Sequence, residues 1–168
     1  IVSRLREYKR IDLAVQAFNQ LKRPLVIIGE GSDRERLESM ASEHITFLGR
    51  VSDEILQDYY ARCRALIFPG EEDFGLTPVE VQASGRPVIA YARGGVLETV
   101  QEGVTGRLFY PQTPDALADA VRTFDITSVD PQAIRLHALQ FDVSHFKEKI
   151  QAYLEECLSR NRVCSVNG

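Results

Sequence analysis

Short apolar runs recur along the chain, separated by longer stretches whose apolar residues return every three or four positions. The runs are Ile1-Val2, then residues 24–28, 45–48, 65–68 and 87–91, each ended by Gly, Pro or a polar cluster. Four or five apolar residues without alternation fit parallel strands buried on both faces. Between them the helical period predicts helices over 12–21, 33–42, 52–62, 79–84 and 96–101. Within 12–21 the inward positions are Leu13, Ala14, Ala17, Phe18 and Leu21. Residues 103–109 read as a glycine turn into a last short strand, and 114–124, 131–139 and 143–158 as further helices. Strand and helix therefore alternate about six times. That predicts an α/β, Rossmann-like fold: one open, mostly parallel sheet with helices on both faces and a ligand at the carboxyl ends of the strands.

The local punctuation supports these boundaries. Ser52 is a fair N-cap. Thr77 reads as the N-cap and Pro78 as the first residue of the following helix, which Gly85 closes. The last helix carries an apolar stripe of Phe146, Ile150, Tyr153, Leu154 and Leu158, read as a packing face rather than a membrane surface, part of which lacks its cover if another domain supplies it. Residues 161–168 are small and polar and read as a frayed tail.

Candidate chemistry collects at the expected carboxyl edge. Glu71, Glu72 and Asp73 crowd the loop after Phe68, Gly75 gives its backbone room, and Glu80 follows in the next helix. Two carboxylates so spaced can flank a polyhydroxylated ligand, because hydroxyls donate strongly to ionised acceptors. Free amides at Leu76 and Thr77 offer an anion site beside them. Arg4 and Lys9 leave a strand end and a helix start, where two cations can hold a diphosphate. A solvated basic turn, and a Glu80 that serves only the helix dipole, would give the same pattern. Gly29-x-Gly31 follows a strand but has Arg34 where a dinucleotide fingerprint needs its third glycine, so NAD binding is rejected and Gly29 reads as backbone packing near the ligand.

Residues 72–90, EDFGLTPVEVQASGRPVIA, resemble the signature E-G-F-G-L-x-x-x-E-A-x-A-x-G-x-P-V-I-A of the retaining GT-B glycosyltransferases of the group one, or family-four, class. Asp73 and Val81 depart from it without touching either glutamate. Residues 3–10, SRLREYKR, resemble that family's S-R-L-x-x-x-K-x segment, and Gly94-Gly95 its Gly-Gly turn. The resemblance implies a nucleotide-sugar donor, with Glu72 on the sugar, Glu80 on the ribose and Arg4 and Lys9 on the diphosphate as the catalytic cations. Phe74, Gly75, Leu76 and Thr77 would line the donor. More weakly, the Gly49-Arg50-Val51 turn and Gly29 would lie near the nucleotide. The family needs no metal or other cofactor. By the same resemblance the chain is the donor-binding domain of a two-domain protein. The acceptor, a saccharide or a lipid-linked one, would belong to the other domain, and the isolated chain would be inactive. A GDP-mannose donor is favoured and a UDP-sugar comes next.

The remaining features narrow the class. The composition, 44% hydrophobic and 26% charged over 168 residues, is that of one globular domain. A net charge of −4 disfavours a nucleic-acid partner. Cys63, Cys157 and Cys164 lack metal-ligand spacing and read as reduced thiols of a cytoplasmic protein, with peripheral membrane association of a longer protein left open. His44, His137 and His145 have no ligand set around them. The competing readings are a nucleotide-binding or signalling module on a flavodoxin-like sheet and a catalytically inactive interaction domain. A receiver-type module would want acids where Arg4 and Arg6 stand.

Overall fold

The computed structural model describes residues 1–164, with side chains described through residue 158. Its strands are β1 (Leu25–Ile28), β2 (Ile45–Gly49), β3 (Leu66–Phe68), β4 (Val88–Tyr91) and β5 (Gly106–Phe109). Its helices are α1 (Ile11–Leu21), α2 (Arg34–Met40), α3 (Asp53–Arg62), α4 (Leu76–Ala83), α5 (Val96–Thr99), α6 (Pro114–Thr123), α7 (Pro131–Leu139) and α8 (Val143–Cys164). All strand pairings are parallel, as the apolar runs predict.

One expectation fails in detail. The strands form two sheets rather than one, β1-β2 and β3-β4-β5. Beyond them Val2 makes a single parallel bridge to Ile28 of β1 and does not reach β3. Helices hold the two sheets in one layer. Alternate strand residues face opposite ways: Ile27, Ile67 and Ile89 join α1, α2 and α6 in one core, while Leu66, Phe68, Val88 and Ala90 join α3, α4 and α5 in another. The first core runs beneath both sheets, which explains why α1 is buried over most of its surface.

The predicted caps are met at two of three positions. Ser52 Oγ accepts from Ile55 N–H, and Gly85, at φ +74, closes α4 with its N–H on the Gln82 carbonyl. Thr77 is not an N-cap. Gly75, at φ +79, lets the chain turn into α4 earlier, so Thr77 and Pro78 are its second and third residues.

At the other end α8 continues to Cys164, so residues 161–164 are helical, and 165–168 of the expected tail lie outside the described residues. The α8 stripe is largely uncovered by the described residues. Phe146, Tyr153 and Leu158 are 60–63% exposed.

Candidate functional site

The site begins with glycines that let backbones meet. At Gly29, φ +131, a Cβ would lie 1.9 Å from the Ser3 carbonyl oxygen, and Leu5 N–H donates to the Glu30 carbonyl. Residues 3–5 are thereby pressed against the end of β1, and Gly29 N–H donates to Gly49 at the end of β2. Arg4 projects from this seam. It is exposed and has no ion-pair partner among the described residues. A 3-10 turn, Glu7–Lys9, then leads to Arg10, whose left-handed backbone starts α1.

A second glycine pair does the same on the other sheet. Gly94 bridges Glu72, and Gly95 N–H donates to the Glu72 carbonyl at 2.7 Å. A Cβ on Gly94 would meet Glu72 O at 2.4 Å, and one on Gly95 would meet Asp73 O at the same distance. The turn is therefore the back wall of the acidic loop, and only a residue without a side chain fits so close an approach. Arg93 pairs with Glu71 beside it, 3.4 Å apart.

The two halves touch at Lys9 and Glu72. The Lys9 ammonium pairs with Glu72 Oε1, and both side chains are mostly buried. The end of β3 comes close because Gly70 has no side chain: a Cβ there would stand 2.8 Å from the Lys9 carbonyl. Arg10 Nη1 donates to Gln112 Oε1 at 3.1 Å, and Gln112 Nε2 donates to the Pro69 carbonyl at 2.9 Å, a second tie across the same seam. Gly70, Arg10 and Gln112 carry no motif signal. Their role depends on where the two sheets meet.

Glu80 lies on the outer face of α4, where the Tyr60 hydroxyl of α3 donates to its Oε2 at 2.9 Å. Burial, and next the Glu80 charge, push the Tyr60 phenol well above its ordinary range, so it stays a donor. Tyr60 was legible in the sequence only as a helix residue. The first amides of α4 have no side-chain cap, which leaves Leu76 and Thr77 N–H outward for a ligand.

Four further expected contributors lie around this seam. The Phe74 ring packs edge-on against Phe141, centroids 5.9 Å apart. The Leu76 side chain is 67% exposed, beside the amide expected to serve an anion. Arg50 and Val51 follow the end of β2, and Arg50 is exposed. Among the described residues no three His, Cys, Asp or Glu stand together as a metal set, and no helix is long and apolar enough to cross a membrane.

Residues 1–125 match the family described as "Glycosyl transferases group 1". Among curated proteins, the D-inositol 3-phosphate glycosyltransferase of Mycobacterium leprae is 32% identical over 158 residues, 83% of this chain and 37% of the relative. A GDP-mannose-dependent alpha-(1-6)-phosphatidylinositol monomannoside mannosyltransferase of Mycobacterium tuberculosis is 33% identical over 138 residues, 71% of this chain and 36% of the relative. Among solved structures, Anabaena HepE in complex with UDP-glucose superposes with TM-score 0.79 at 25% identity, over 92% of this chain and 48% of that one. The sucrose-phosphate synthase of Thermosynechococcus elongatus does so with TM-score 0.82 at 26% identity, over 95% and 45%. The chain thus spans little more than a third of these curated relatives and under half of these structures.

Proposed function

Because the chain belongs to the group 1 glycosyl transferases, with their GT-B-like fold, we propose that it is the donor-binding domain of a two-domain enzyme. That enzyme transfers a hexose, with retention, from a nucleoside-diphosphate sugar to a saccharide or lipid-linked acceptor. The observation that carries this reading is the meeting of Lys9 with Glu72 at the carboxyl edge of both sheets. Neither residue can serve a diphosphate and a hexose hydroxyl alone, but together they span the bond that breaks.

In the free protein each neutralises the other. A bound diphosphate competes for the Lys9 ammonium, with Arg4 as a second cation and the Leu76 and Thr77 amides as neutral donors. These groups stabilise the negative charge that grows on the departing nucleoside diphosphate. Glu72, released from Lys9, accepts from a hydroxyl of the sugar and fixes its orientation. Glu80, held by Tyr60, accepts from the ribose hydroxyls. No step requires a metal, since the cations are side chains. The donor of the mycobacterial mannosyltransferase makes GDP-mannose the first candidate, and the UDP-glucose of HepE makes a UDP-sugar the second.

The test is calorimetry on the full-length protein with GDP-mannose, UDP-glucose and their nucleoside diphosphates, with and without EDTA. The expected result is binding of one base class, unchanged by EDTA and weakened about tenfold or more in Glu72→Gln. Binding that needs a divalent ion, or that ignores Glu72, overturns the reading.

A further inference from the structure

The 3-10 turn Glu7–Lys9 stands at the seam between two buried anchors, Leu5 and Ile11. Lys9 N–H donates to the Arg6 carbonyl and Arg10 N–H to the Glu7 carbonyl, each at 3.0 Å, and Gly70 of the second sheet lies against the Lys9 carbonyl. The backbone of the turn is therefore fixed. Tyr8 nevertheless turns its ring outward and is 60% exposed, although an aromatic ring is among the largest apolar surfaces a chain can bury. The face of that ring meets a charge: the Lys9 ammonium lies over it, 4.9 Å from the centroid.

Adjacency in the chain does not explain this contact. Successive side chains of a 3-10 turn point about 120° apart, so the Lys9 stem has to bend back to carry its head over the neighbouring ring. A lysine gives up rotamer freedom in any single pose, and something must hold it there. In the free protein two groups do so, the Glu72 carboxylate and the Tyr8 ring, and the Lys9 side chain is left only 16% exposed. An ammonium so far out of water is drawn to a π face more strongly than an exposed one. The two holders differ in one respect. A diphosphate oxygen can take the place of the carboxylate oxygen, but it cannot replace the face of a ring.

We propose that Tyr8 is the positioning residue of Lys9: its ring keeps the ammonium aimed into the seam after the diphosphate of the donor has displaced Glu72. The role rests on the reading of Lys9 as a diphosphate cation. It also separates the two cations. Arg4 has neither a carboxylate nor a ring partner among the described residues, so the ligand itself must order it. Lys9 meets the ligand already oriented, and the ordering cost of its stem is met by a contact that persists through binding.

The test replaces Tyr8 in the full-length protein with phenylalanine and with its mono-, di- and trifluorinated analogues, and titrates GDP and UDP against each. Fluorine drains the negative face of the ring and changes its size little. Affinity for the better-bound diphosphate should fall stepwise with each fluorine, by about three- to tenfold at the trifluorinated ring, while the melting temperature stays level. Tyr8→Leu should lose as much, and Tyr8→Phe should recover it. In a Lys9→Met background the fluorinated series should be flat. Two failures are distinguishable. If Lys9→Met weakens binding but the series is flat in the unaltered background, or its slope persists in Lys9→Met, the ring serves the fold or touches the ligand, and the role of Tyr8 alone is overturned. If neither diphosphate binds, or Lys9→Met binds as tightly as the unaltered protein, the diphosphate reading of Lys9 is overturned and the role of Tyr8 with it.

Discussion

The two sheets bring opposite chemistry to the same seam, and they hold it differently. The β1-β2 half carries the cations: Arg4 is exposed and has no ion-pair partner among the described residues, while Lys9 is mostly buried, pairs with Glu72 and lies over the Tyr8 ring. The β3-β4-β5 half carries acids that are fixed in place. Glu72 is held by the Gly94-Gly95 wall and by Lys9, and Glu80 by Tyr60. A diphosphate is a large anion that a cation can grip in several geometries. Sugar hydroxyls must be met at defined angles, and that needs acceptors whose positions are settled beforehand. Both halves nevertheless rest on the same device, a glycine that admits a carbonyl where a Cβ would clash.

Breaking that device should have the largest effect. Gly29→Ala and Gly94→Ala each combine a left-handed backbone with a Cβ inside 2.5 Å of a carbonyl oxygen. We expect each to cost about 3–5 kcal/mol in chemical denaturation. Gly103→Ala is the control: it shares the positive φ, but nothing lies within 4 Å of its Cβ, so it should cost only about 1–2 kcal/mol. Equal losses at all three positions would mean that backbone conformation, and not close approach, explains the glycines.

The cations and acids then separate in binding. Glu72→Gln keeps the shape and should weaken the nucleotide sugar about tenfold with little salt dependence, since a hydrogen bond to a charged acceptor contributes roughly 1.5–3 kcal/mol. Arg4→Ala should weaken the nucleoside diphosphate as well, but the loss should shrink as salt rises, because an exposed charge is screened. Titrations at low and high ionic strength distinguish the two patterns.

A pH effect is expected at the boundary between the halves in the 168-residue chain itself. The Ile1 amino group is lowered from 8.0 to about 6 by burial. Its unfolded form therefore binds the proton more tightly, and stability rises with pH across that interval. Stability is fully present above about pH 8 and is lost as pH falls towards 6, by roughly 2 kcal/mol. Melting curves at intervals from pH 5.5 to 8.5 should show this slope, and acetylating the amino group should remove it.

What the sequence disclosed follows from how local each feature is. The apolar runs, the Gly85 stop and the Ser52 cap depend on a few neighbours and appear where expected. The Glu72–Glu80 spacing was plain for the same reason. The start of α4 was misplaced because Thr77-Pro78 is a strong local signal, and only the left-handed Gly75 overrides it. The division into two sheets, the Arg10–Gln112–Pro69 tie and the hold of Phe141 on Phe74 join residues from about 40 to 100 positions apart. No spacing rule reaches that far. The exposed α8 stripe was readable as amphipathic, but amphipathicity does not say what covers it.

The smallest expected effect sharpens the comparison most. Tyr60→Phe removes one hydroxyl and keeps the ring that packs in the α3–α4 core. If Glu80 acted only through the helix dipole, the loss would be that of one hydrogen bond, about 0.5–1.5 kcal/mol of stability, and nucleotide affinity would not change. If Glu80 accepts from ribose, freeing its carboxylate adds a side-chain ordering cost to each binding event, about 0.5–1.5 kcal/mol, or a few-fold in affinity. That loss should appear with ribonucleotides and disappear with 2′,3′-dideoxynucleotides, which offer no hydroxyl to accept from. Glu80→Gln should reproduce it, and adding Tyr60→Phe to Glu80→Gln should cost little more, because the two side chains act through one contact. Additive losses would show that Tyr60 supports the fold alone, and that the acids of the second sheet are no better fixed than the cations of the first.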